Sequence, residues 1–373
     1  MAKRLAKRLS GQTDHLIADA APRPAGQERI WRNKGGMKPE RSIYVCPETK
    51  EPLRLEVGEE QGGAVQTGRL VRADGVAYAI NDGIPNLIFP RDLSGEQKEA
   101  QDYYEGVAEV YDDVAHLSFR IQYVDETEAR QGFVDLLNLK PGARVLELAC
   151  GTGRDSELIA KELGPDGQLY LQDISPSMLL RTKEKLAGAS VPVEAVVGNA
   201  VHLPFPDDYF DAVFSFGGLG VFGDISGALN EMVRVSKVGA RVIAGDESMP
   251  PWLYESEYGR ILLANNPLFK KPIPFEQIPV EARDVVVRWV VGGVYYLIEF
   301  TVGEGEPKAD FDFPIPGRRG GTLRTRYYGK LEGVTPETFE LAQQARDASG
   351  KSMHDWIDEA VREAARRQLG SNG

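Results

Sequence analysis

The sequence predicts an α/β fold built on a largely parallel sheet with helices on both faces. Strand-like and amphipathic segments alternate between residues 97 and 303, which is typical of repeated strand–helix–strand units. The parallel strands are expected at 144–149, 168–173, 193–198, 211–215 and 240–246. Two more apolar runs, 284–291 and 294–301, are separated by the turn dipeptide Gly292-Gly293, so an antiparallel pair should complete a seven-stranded sheet.

The composition is that of a soluble globular protein with more than one domain. The 373 residues are 42% hydrophobic and 27% charged, and a prior of about 150 residues per domain gives two or three domains. No apolar run reaches the ~20 residues of a membrane-spanning helix, and no apolar signal-peptide core follows the basic start of the chain. We therefore expect a cytoplasmic protein that does not span a membrane. The net charge of −12 argues against nucleic acid as its main partner.

The segment most informative about function is 145–155, Val-Leu-Glu-Leu-Ala-Cys-Gly-Thr-Gly-Arg-Asp. A buried strand ends here in a glycine turn that opens a helix, so backbone and ligand can approach closely. A nucleotide-binding dehydrogenase is the competing interpretation, but the G-x-G-x-x-G run is missing and the acidic residue lies inside the strand. The segment resembles motif I of class I S-adenosylmethionine-dependent methyltransferases, most closely the ubiquinone/menaquinone C-methyltransferase-like group. That resemblance covers a domain at 97–306 and implies a Rossmann-like, seven-stranded methyltransferase sheet.

The same resemblance implies that S-adenosylmethionine is the cofactor and indicates where its amino-acid half binds. Glu147 should face the amino group, directly or through water. The backbone of the glycine turn should contact the rest of this half, through Ala149, Cys150, Gly151 and Gly153.

The ribose and adenine should bind at the ends of the next two strands. Asp173 closes the second strand about 20 residues after the glycines, where a carboxylate can accept two ribose hydroxyls; capping the following helix is its alternative role. Ile174 and Met178 should pack on adenine. Asn199 stands where the resembling group usually has Asp, and its carbonyl oxygen can still accept from the adenine amino group, with Ala200 supplying a backbone N–H.

Catalytic candidates are few. Ser215 is expected to bind the cofactor at the end of the fourth strand, where the methyl donor should meet its acceptor. Tyr111 should lie over the cofactor, in a segment that resembles the lid helix of the group. Tyr111 and His116 are the weak candidates for a catalytic role, and packing within the helix is an equal interpretation of His116. His202 is expected to be an exposed loop residue.

A β-rich module at 43–92 follows a flexible basic arm, 1–42, that holds ten Lys/Arg against four Asp/Glu. Strand-like runs at 43–50, 68–71 and 76–80, and above all the ending 74–85, resemble the small zinc ribbon that accompanies some methyltransferases. Tetrahedral zinc needs four Cys or His ligands, and this segment offers only Cys46. We expect no metal, and interpret Cys46 as a small buried hydrophobe.

A linker or strand is expected at 307–332, and a helical hairpin at 333–373. Thr335-Pro336 starts the first helix, Ser349-Gly350 stops it and Ser352 starts the second. The hairpin resembles the C-terminal part of ribbon-helix-helix proteins, with 322–328 as the candidate ribbon strand. That resemblance implies a homodimer through the helices, and packing on the catalytic domain is the alternative. Five Lys/Arg against seven Asp/Glu after Gly333 disfavour DNA binding.

The predicted function is transfer of a methyl group to a small-molecule acceptor, aromatic or isoprenoid-like, with 250–279 as a pocket wall or a surface cap. An RNA methyltransferase is the alternative, motivated by the ribbon-like module and the basic arm. A DNA-binding regulator acting through the C-terminal helices is the second alternative.

Overall fold

The computed structural model describes residues 36–39, 42–318, 320–328 and 334–370. They fall into two compact units, one ending at Glu306 and the other beginning at Pro307. The predicted basic arm lies almost entirely outside the described residues. Within the described ranges, no helix is both long and apolar enough to cross a membrane.

The first unit begins with a four-stranded antiparallel sheet, in which the strands lie side by side in the same order as in the chain. Its strands are β1 (Arg54–Gln61), β2 (Ala64–Val71), β3 (Ala77–Asn81) and β4 (Ile84–Pro85). The sequence did not indicate β1, because half of its residues are charged and most are exposed. Pairing with β2 and the packing of Leu55 against the core hold the strand in place. The run expected at 43–50 forms no strand, only an isolated bridge from Val45 to Pro52.

This small sheet is continuous with the central domain. Leu87 N donates to Val197 O at 2.8 Å and Val45 N donates to Pro204 O at 3.1 Å. Cys46 is fully buried, as expected, and it lies in the same hydrophobic core as Leu146 of the central sheet. Among the described residues, no three His, Cys, Asp or Glu side chains are grouped as a metal would require.

The central sheet has the seven strands that the sequence predicts. They are β5 (Arg144–Leu148), β6 (Gln168–Asp173), β7 (Val193–Val197), β8 (Phe210–Phe216), β9 (Ser236–Glu247), β10 (Ala282–Val290) and β11 (Tyr295–Val302). Strands β5 to β9 are parallel, and β11 runs antiparallel to both β9 and β10, in the order β10-β11-β9-β8-β5-β6-β7. Val291–Gly293 forms the hairpin turn, with Gly292 at φ +65°.

Capped amphipathic helices cover the sheet. In the helix Pro176–Lys185, Ser175 Oγ accepts from Met178 N and Pro176 occupies the first turn. Asp224 caps the helix Ile225–Val235, whose face at Leu229 and Met232 is buried. The helices are α1 (Gly95–Val107), α2 (Tyr111–Ala115), α3 (Leu117–Ile121), α4 (Glu126–Asp135), α5 (Ser156–Leu163), α6 (Pro176–Lys185), α7 (Ile225–Val235) and α8 (Glu257–Asn265). Between β9 and β10, short 3₁₀ turns surround α8.

The second unit contains α9 (Leu323–Tyr328), α10 (Pro336–Ser349) and α11 (Met353–Gly370). The strand expected at 322–328 is wrong, because Thr322 Oγ1 accepts from Thr325 N at 3.1 Å and starts a helix there. The hairpin itself has the predicted signals: Thr335 caps α10, Gly350 adopts φ +68°, and Ser352 Oγ accepts from Asp355 N at 3.1 Å.

Gly153 in the turn after β5 should be essential for stability. Its φ is +79°, and a Cβ there would lie 2.7 Å from Thr182 Cγ2. Gly153→Ala should therefore lower the free energy of unfolding by on the order of 1–3 kcal/mol, measured by denaturant unfolding. Gly188→Ala is the matched control, because a Cβ at Gly188 meets open space; equal stability of the two variants would contradict the expected strain.

Candidate active site

The turn between β5 and α5 is held from two sides. Gly151 N donates to Asp173 Oδ2 at 2.8 Å, and Cys150 N donates to Gln172 O at 3.2 Å. From α6, Thr182 Oγ1 donates to Gly151 O at 2.6 Å. The turn needs left-handed backbone at Gly151 and even at Ala149, where φ is +51°. These bonds fix the backbone that the sequence predicts to face the cofactor.

A cavity opens beside this turn, at the carboxyl ends of β5, β6 and β8. In open α/β sheets, this is where ligands bind. The cavity is lined by Gln97, Ala100, Tyr104, Tyr111, Ala149, Gly151, Gln172, Asp173, Ile174, Asn199, Ala200, Phe216, Gly217, Gly218, Val221 and Phe222.

Most of the residues expected at the cofactor lie in this lining. They are Tyr111, Ala149, Gly151, Asp173, Ile174, Asn199 and Ala200. The other expected residues do not line the cavity. Glu147 accepts from Ser156 Oγ at 2.6 Å, and Gly153 packs on Thr182. The remaining three are buried: Cys150, Met178 and Ser215. His116 also lies outside the lining, with Nδ1 3.4 Å from Asp112 O.

The sequence prediction missed the contribution of α1. Gln97, Ala100 and Tyr104 share one face of the helix and line the cavity. Their spacing of three and four residues was the available signal. Gln172 was also missed, although it directly precedes Asp173. Its Nε2 donates to Gly198 O at 2.5 Å and its side chain forms part of the cavity floor.

Asp173 is the buried acid at the centre of the cavity wall. Its two carboxylate oxygens accept from Gly151 N at 2.8 Å and from Ser175 N at 2.9 Å. Burial raises the pKa of Asp173 to about 6, against the opposing effect of these backbone hydrogen bonds. The cap of α6 is Ser175, not Asp173, so the alternative role for Asp173 does not apply.

Asn199 occupies the opposite end of the cavity. Its Nδ2 donates to Phe89 O at 3.0 Å and to Gln97 Oε1 at 3.1 Å, so the amide is oriented. Its Oδ1 accepts from Val201 N at 3.1 Å and from Gln97 Nε2 at 3.5 Å, so an adenine amino group would replace the longer of these two bonds. His202 is half-buried rather than exposed, because its ring packs edge-on against Phe89 with centroids 5.0 Å apart.

A buried charge cluster lies behind the glycine turn. Arg130 Nη1 donates to Asp155 Oδ2 at 2.5 Å, and Glu126 accepts from both Arg130 and Arg154. Burial raises the pKa of Glu147, and the nearby Asp155 charge adds to the rise. Within the described part of the chain, Arg154 Nη1 and Asp155 Oδ1 are buried without a hydrogen-bond partner.

The cavity lining tests whether the cofactor would fit. Arg154 and Asp155 are outside that lining, and Arg154 Nη1 lies 3.6 Å from Asp112 Oδ1. Ala149 and Gly151 bring the backbone of the turn to the cavity, where it suits the amino-acid half of S-adenosylmethionine. Asp173, whose carboxylate oxygens can accept further donors, suits its ribose.

Aromatic side chains form the remaining end of the cavity. Tyr104 and Tyr111 meet with ring centroids 6.1 Å apart, and Phe216 at the end of β8 lies in the same lining. Burial raises the pKa of Tyr111 to about 12, so its phenol stays neutral near pH 7. Asp112 fixes α2 and thus Tyr111, because it accepts from Thr152 Oγ1 at 2.6 Å and Lys185 Nζ at 3.0 Å.

Comparison with known proteins agrees with the sequence-based resemblance. Residues 92–258 match the model of the ubiE/COQ5 methyltransferase family. A ubiquinone/menaquinone biosynthesis C-methyltransferase UbiE of Cupriavidus pinatubonensis is 42% identical over 106 residues, 28% of this chain and 44% of that protein. A demethylmenaquinone methyltransferase of Listeria monocytogenes is 33% identical over 157 residues, 42% of this chain and 65% of that protein. The matched segments thus span less than two thirds of either relative.

Solved structures are similar at lower identity. A methyltransferase from Aquifex aeolicus matches 53% of this chain and 98% of its own, with 21% identity and a TM-score of 0.39. A geranyl diphosphate C-methyltransferase from Streptomyces coelicolor matches 57% and 100%, with 11% identity and a TM-score of 0.43. The strand order and the family match together confirm the expected class I methyltransferase fold, and residues 92–258 are a segment similar to the ubiE/COQ5 methyltransferase family.

Proposed function

We propose that this protein is an S-adenosylmethionine-dependent methyltransferase with a small-molecule acceptor. The observation that carries the proposal is the tie between Gly151 and Asp173, which places a buried carboxylate at the edge of a ligand-sized cavity. The position is the one at which a cofactor ribose would be bound. The match of residues 92–258 to a methyltransferase family supports the same activity.

In this proposal each end of the cavity holds one part of the cofactor. Asp173 accepts the ribose hydroxyls, and Asn199 Oδ1 accepts from the adenine amino group. The backbone of the turn at Ala149 and Gly151 contacts the amino-acid half, and Glu147 reaches its amino group through water. The bound cofactor supplies a methyl group activated by a sulfonium.

The protein contributes alignment and exclusion of water. Methyl transfer from a sulfonium is an in-line displacement, so orientation of the two reactants and a dry site supply much of the acceleration. We place the acceptor against Tyr104, Tyr111 and Phe216, which line the cavity. His116 lies outside the lining, and we assign it no role in the reaction.

We infer that the acceptor is a small hydroxylated aromatic ring that is methylated on carbon. The names of the curated relatives point to ubiquinone and menaquinone precursors as their acceptors, and aromatic walls suit a flat ring. Net charge −12 disfavours RNA as the acceptor. We place the protein in the cytoplasm.

Asp173→Asn should weaken cofactor binding. Loss of a charged acceptor of ribose hydroxyls costs on the order of 1.5–3 kcal/mol, or about 10- to 100-fold in Kd. Calorimetry with S-adenosylhomocysteine measures the change, and Asp166→Asn, at an exposed turn, is the matched control. Unchanged affinity in Asp173→Asn would show that the ribose does not bind at this position.

The affinity of the wild-type protein should also rise with pH through about 6. Ionised Asp173 is the better acceptor, and its pKa of about 6 in the free protein sets the window. The pKa of Asp173 is about 6 in the folded protein and ~3.9 in the unfolded chain, so the folded state binds the proton more tightly. The free protein should therefore lose stability as pH rises from ~3.9 through about 6. Asp173→Asn should lose the pH dependence of affinity and show a smaller loss of stability over the same pH range.

The acceptor class can be tested directly. Purified protein, labelled cofactor and a demethylmenaquinol with a short prenyl tail should give a product heavier by one methyl group on a ring carbon. Mass spectrometry and NMR identify that carbon, and the Asp173→Asn variant serves as the cofactor-site control. Methylation of bulk RNA with no methylation of the quinol would instead favour the RNA alternative.

We further propose that the C-terminal helices form a homodimer. Neither α10 nor α11 has a buried residue, and Leu341 and Val361 are 65% and 53% exposed. A helical apolar face of this kind is stabilised mainly by packing, and a second copy is the partner that the hairpin's resemblance implies.

Val361→Asp in the full-length chain should convert the dimer into a monomer. A charge on the apolar face is costly to bury, so light scattering should report half the wild-type mass, with cofactor affinity retained. Glu337→Gln, an exposed position in α10, should stay dimeric. A monomeric wild-type protein would refute the proposal.

A further inference from the structure

The last segment of the β-rich module runs along the edge of the central sheet. Strand β7 is the edge strand, and Asn86 forms a parallel bridge with its final residue, Val197. Leu87 N donates to Val197 O at 2.8 Å, and the Leu87 side chain is fully buried in the core that the module shares with the central domain. Residues 86–89 are therefore fixed beside the carboxyl end of β7, two residues before Asn199 of the cavity lining.

The module also holds the loop between β7 and β8 farther along the chain. Lys50 Nζ donates to Leu203 O at 3.1 Å and to Glu231 Oε2 at 2.8 Å. The same Glu231 oxygen accepts from Leu203 N at 2.7 Å, so one carboxylate joins the loop, the module and the helix Ile225–Val235. The loop that carries Asn199 is thus attached to the module at two places.

The Phe89 carbonyl is the contact between the module and the cavity lining. Its oxygen accepts from Asn199 Nδ2 at 3.0 Å, and at the other end of the amide Asn199 Oδ1 accepts from Val201 N at 3.1 Å. Both partners are main-chain groups, so neither can exchange a donor for an acceptor. Asn199 is 2% exposed, and its amide is therefore held in one orientation, with the oxygen as the acceptor beside the cavity.

Gln97 of α1 completes the surroundings of this amide but does not fix them. Its Oε1 accepts from Asn199 Nδ2 at 3.1 Å, and its Nε2 donates to Phe222 O at 2.9 Å and to Asn199 Oδ1 at 3.5 Å. A Gln side chain can turn its amide and present either a donor or an acceptor to a neighbour. The main-chain carbonyl of Phe89 has no such freedom, so it is the constraint that decides how Asn199 is oriented.

We propose that Phe89, through its main-chain carbonyl, is a positioning residue of the cofactor site, and that the β-rich module thereby sets the preference for a base with an exocyclic amino group. The inference rests on the proposed function, in which Asn199 Oδ1 accepts from the adenine amino group. With the amide held by Phe89, an amino group meets an acceptor. A keto oxygen at the same position meets a second acceptor and is disfavoured.

The same contact gives a physical reason for Asn at position 199, where the resembling methyltransferases usually have Asp. An ionised carboxylate has no proton to donate, so its oxygen would face the Phe89 carbonyl oxygen as a second acceptor. Two acceptors left without a donor in a buried site are costly. A stronger acceptor for adenine would therefore be obtained only with loss of the attachment to the module.

The first test compares the affinities of the full-length protein for S-adenosylhomocysteine and S-inosylhomocysteine, which has a keto oxygen in place of the amino group. Calorimetry should show that the wild type favours the adenosyl ligand by about 10- to 100-fold. Phe89→Gly frees the backbone that carries the carbonyl, so the Asn199 amide can turn and donate to the keto oxygen. The preference should fall by about 3- to 10-fold, the net value of one hydrogen bond. Weaker binding of both ligands at an unchanged ratio would mean that Phe89 only supports the local fold and would overturn the proposal.

His202→Ala is the matched control for Phe89→Gly. It removes the same edge-on ring contact, with centroids 5.0 Å apart, but leaves the Phe89 backbone restrained. This variant should keep the wild-type ratio of affinities. An equal fall of the ratio in both variants would trace the effect to ring packing and would count against the carbonyl.

Asn199→Asp tests the carbonyl with almost no change of shape, and it decides the matter if Phe89→Gly does not fold. At about pH 8 it should bind S-adenosylhomocysteine about 10- to 100-fold more weakly than the wild type, although a carboxylate is the stronger acceptor. Part of that loss should be recovered when Phe89→Gly is added, because the carbonyl can then move away from the carboxylate. Affinity equal to or above that of the wild type in Asn199→Asp would overturn the proposal.

Binding of the two ligands to the wild type separates this inference from the proposed function. A protein that binds neither ligand would overturn the proposed function itself. A protein that binds both with equal affinity would leave cofactor binding intact, and it would show that Asn199 does not read the base and that Phe89 has no positioning role.

Discussion

The hydrogen bond from Gly151 N to the Asp173 carboxylate is the contact on which the site depends. It joins the turn after β5 to the end of β6, so two parallel strands present their carboxyl ends to one cavity at a fixed distance. The bond is possible because Gly151 adopts φ +55°, which directs its N–H across the turn. Removal of the carboxylate would leave a backbone donor unpaired and the turn held mainly by Thr182.

The small antiparallel sheet and the central domain share one hydrophobic core. Cys46 and Leu70 belong to the same cluster of buried residues as Val196 and Phe205 of the central domain. Apolar contact with the central domain therefore stabilises this small sheet, whose own core would be too small to do so alone.

The sequence could predict what depends on local periodicity and on turn chemistry. The strands of the central sheet and the caps at Thr335 and Ser352 follow from such signals, and so does the cavity position of Asp173. The Arg54–Gln61 strand did not follow, because its charged residues are held by pairing with β2 and not by burial. Residues 322–328 have strand-like composition, and a local Thr322–Thr325 cap favours a helix instead.

The different environments of two adjacent acids could not be predicted for another reason. Nothing in the local sequence distinguishes Glu247 from Asp246, since both end the same strand. Alternation along the strand places their side chains on opposite faces of the sheet. Asp246 accepts from Gly220 N, in the 3₁₀ turn that follows β8, whereas Glu247 lies opposite Tyr295 of β11. Because these partners are distant in sequence, the fixed role of Asp246 beside the cavity follows only from the folded chain.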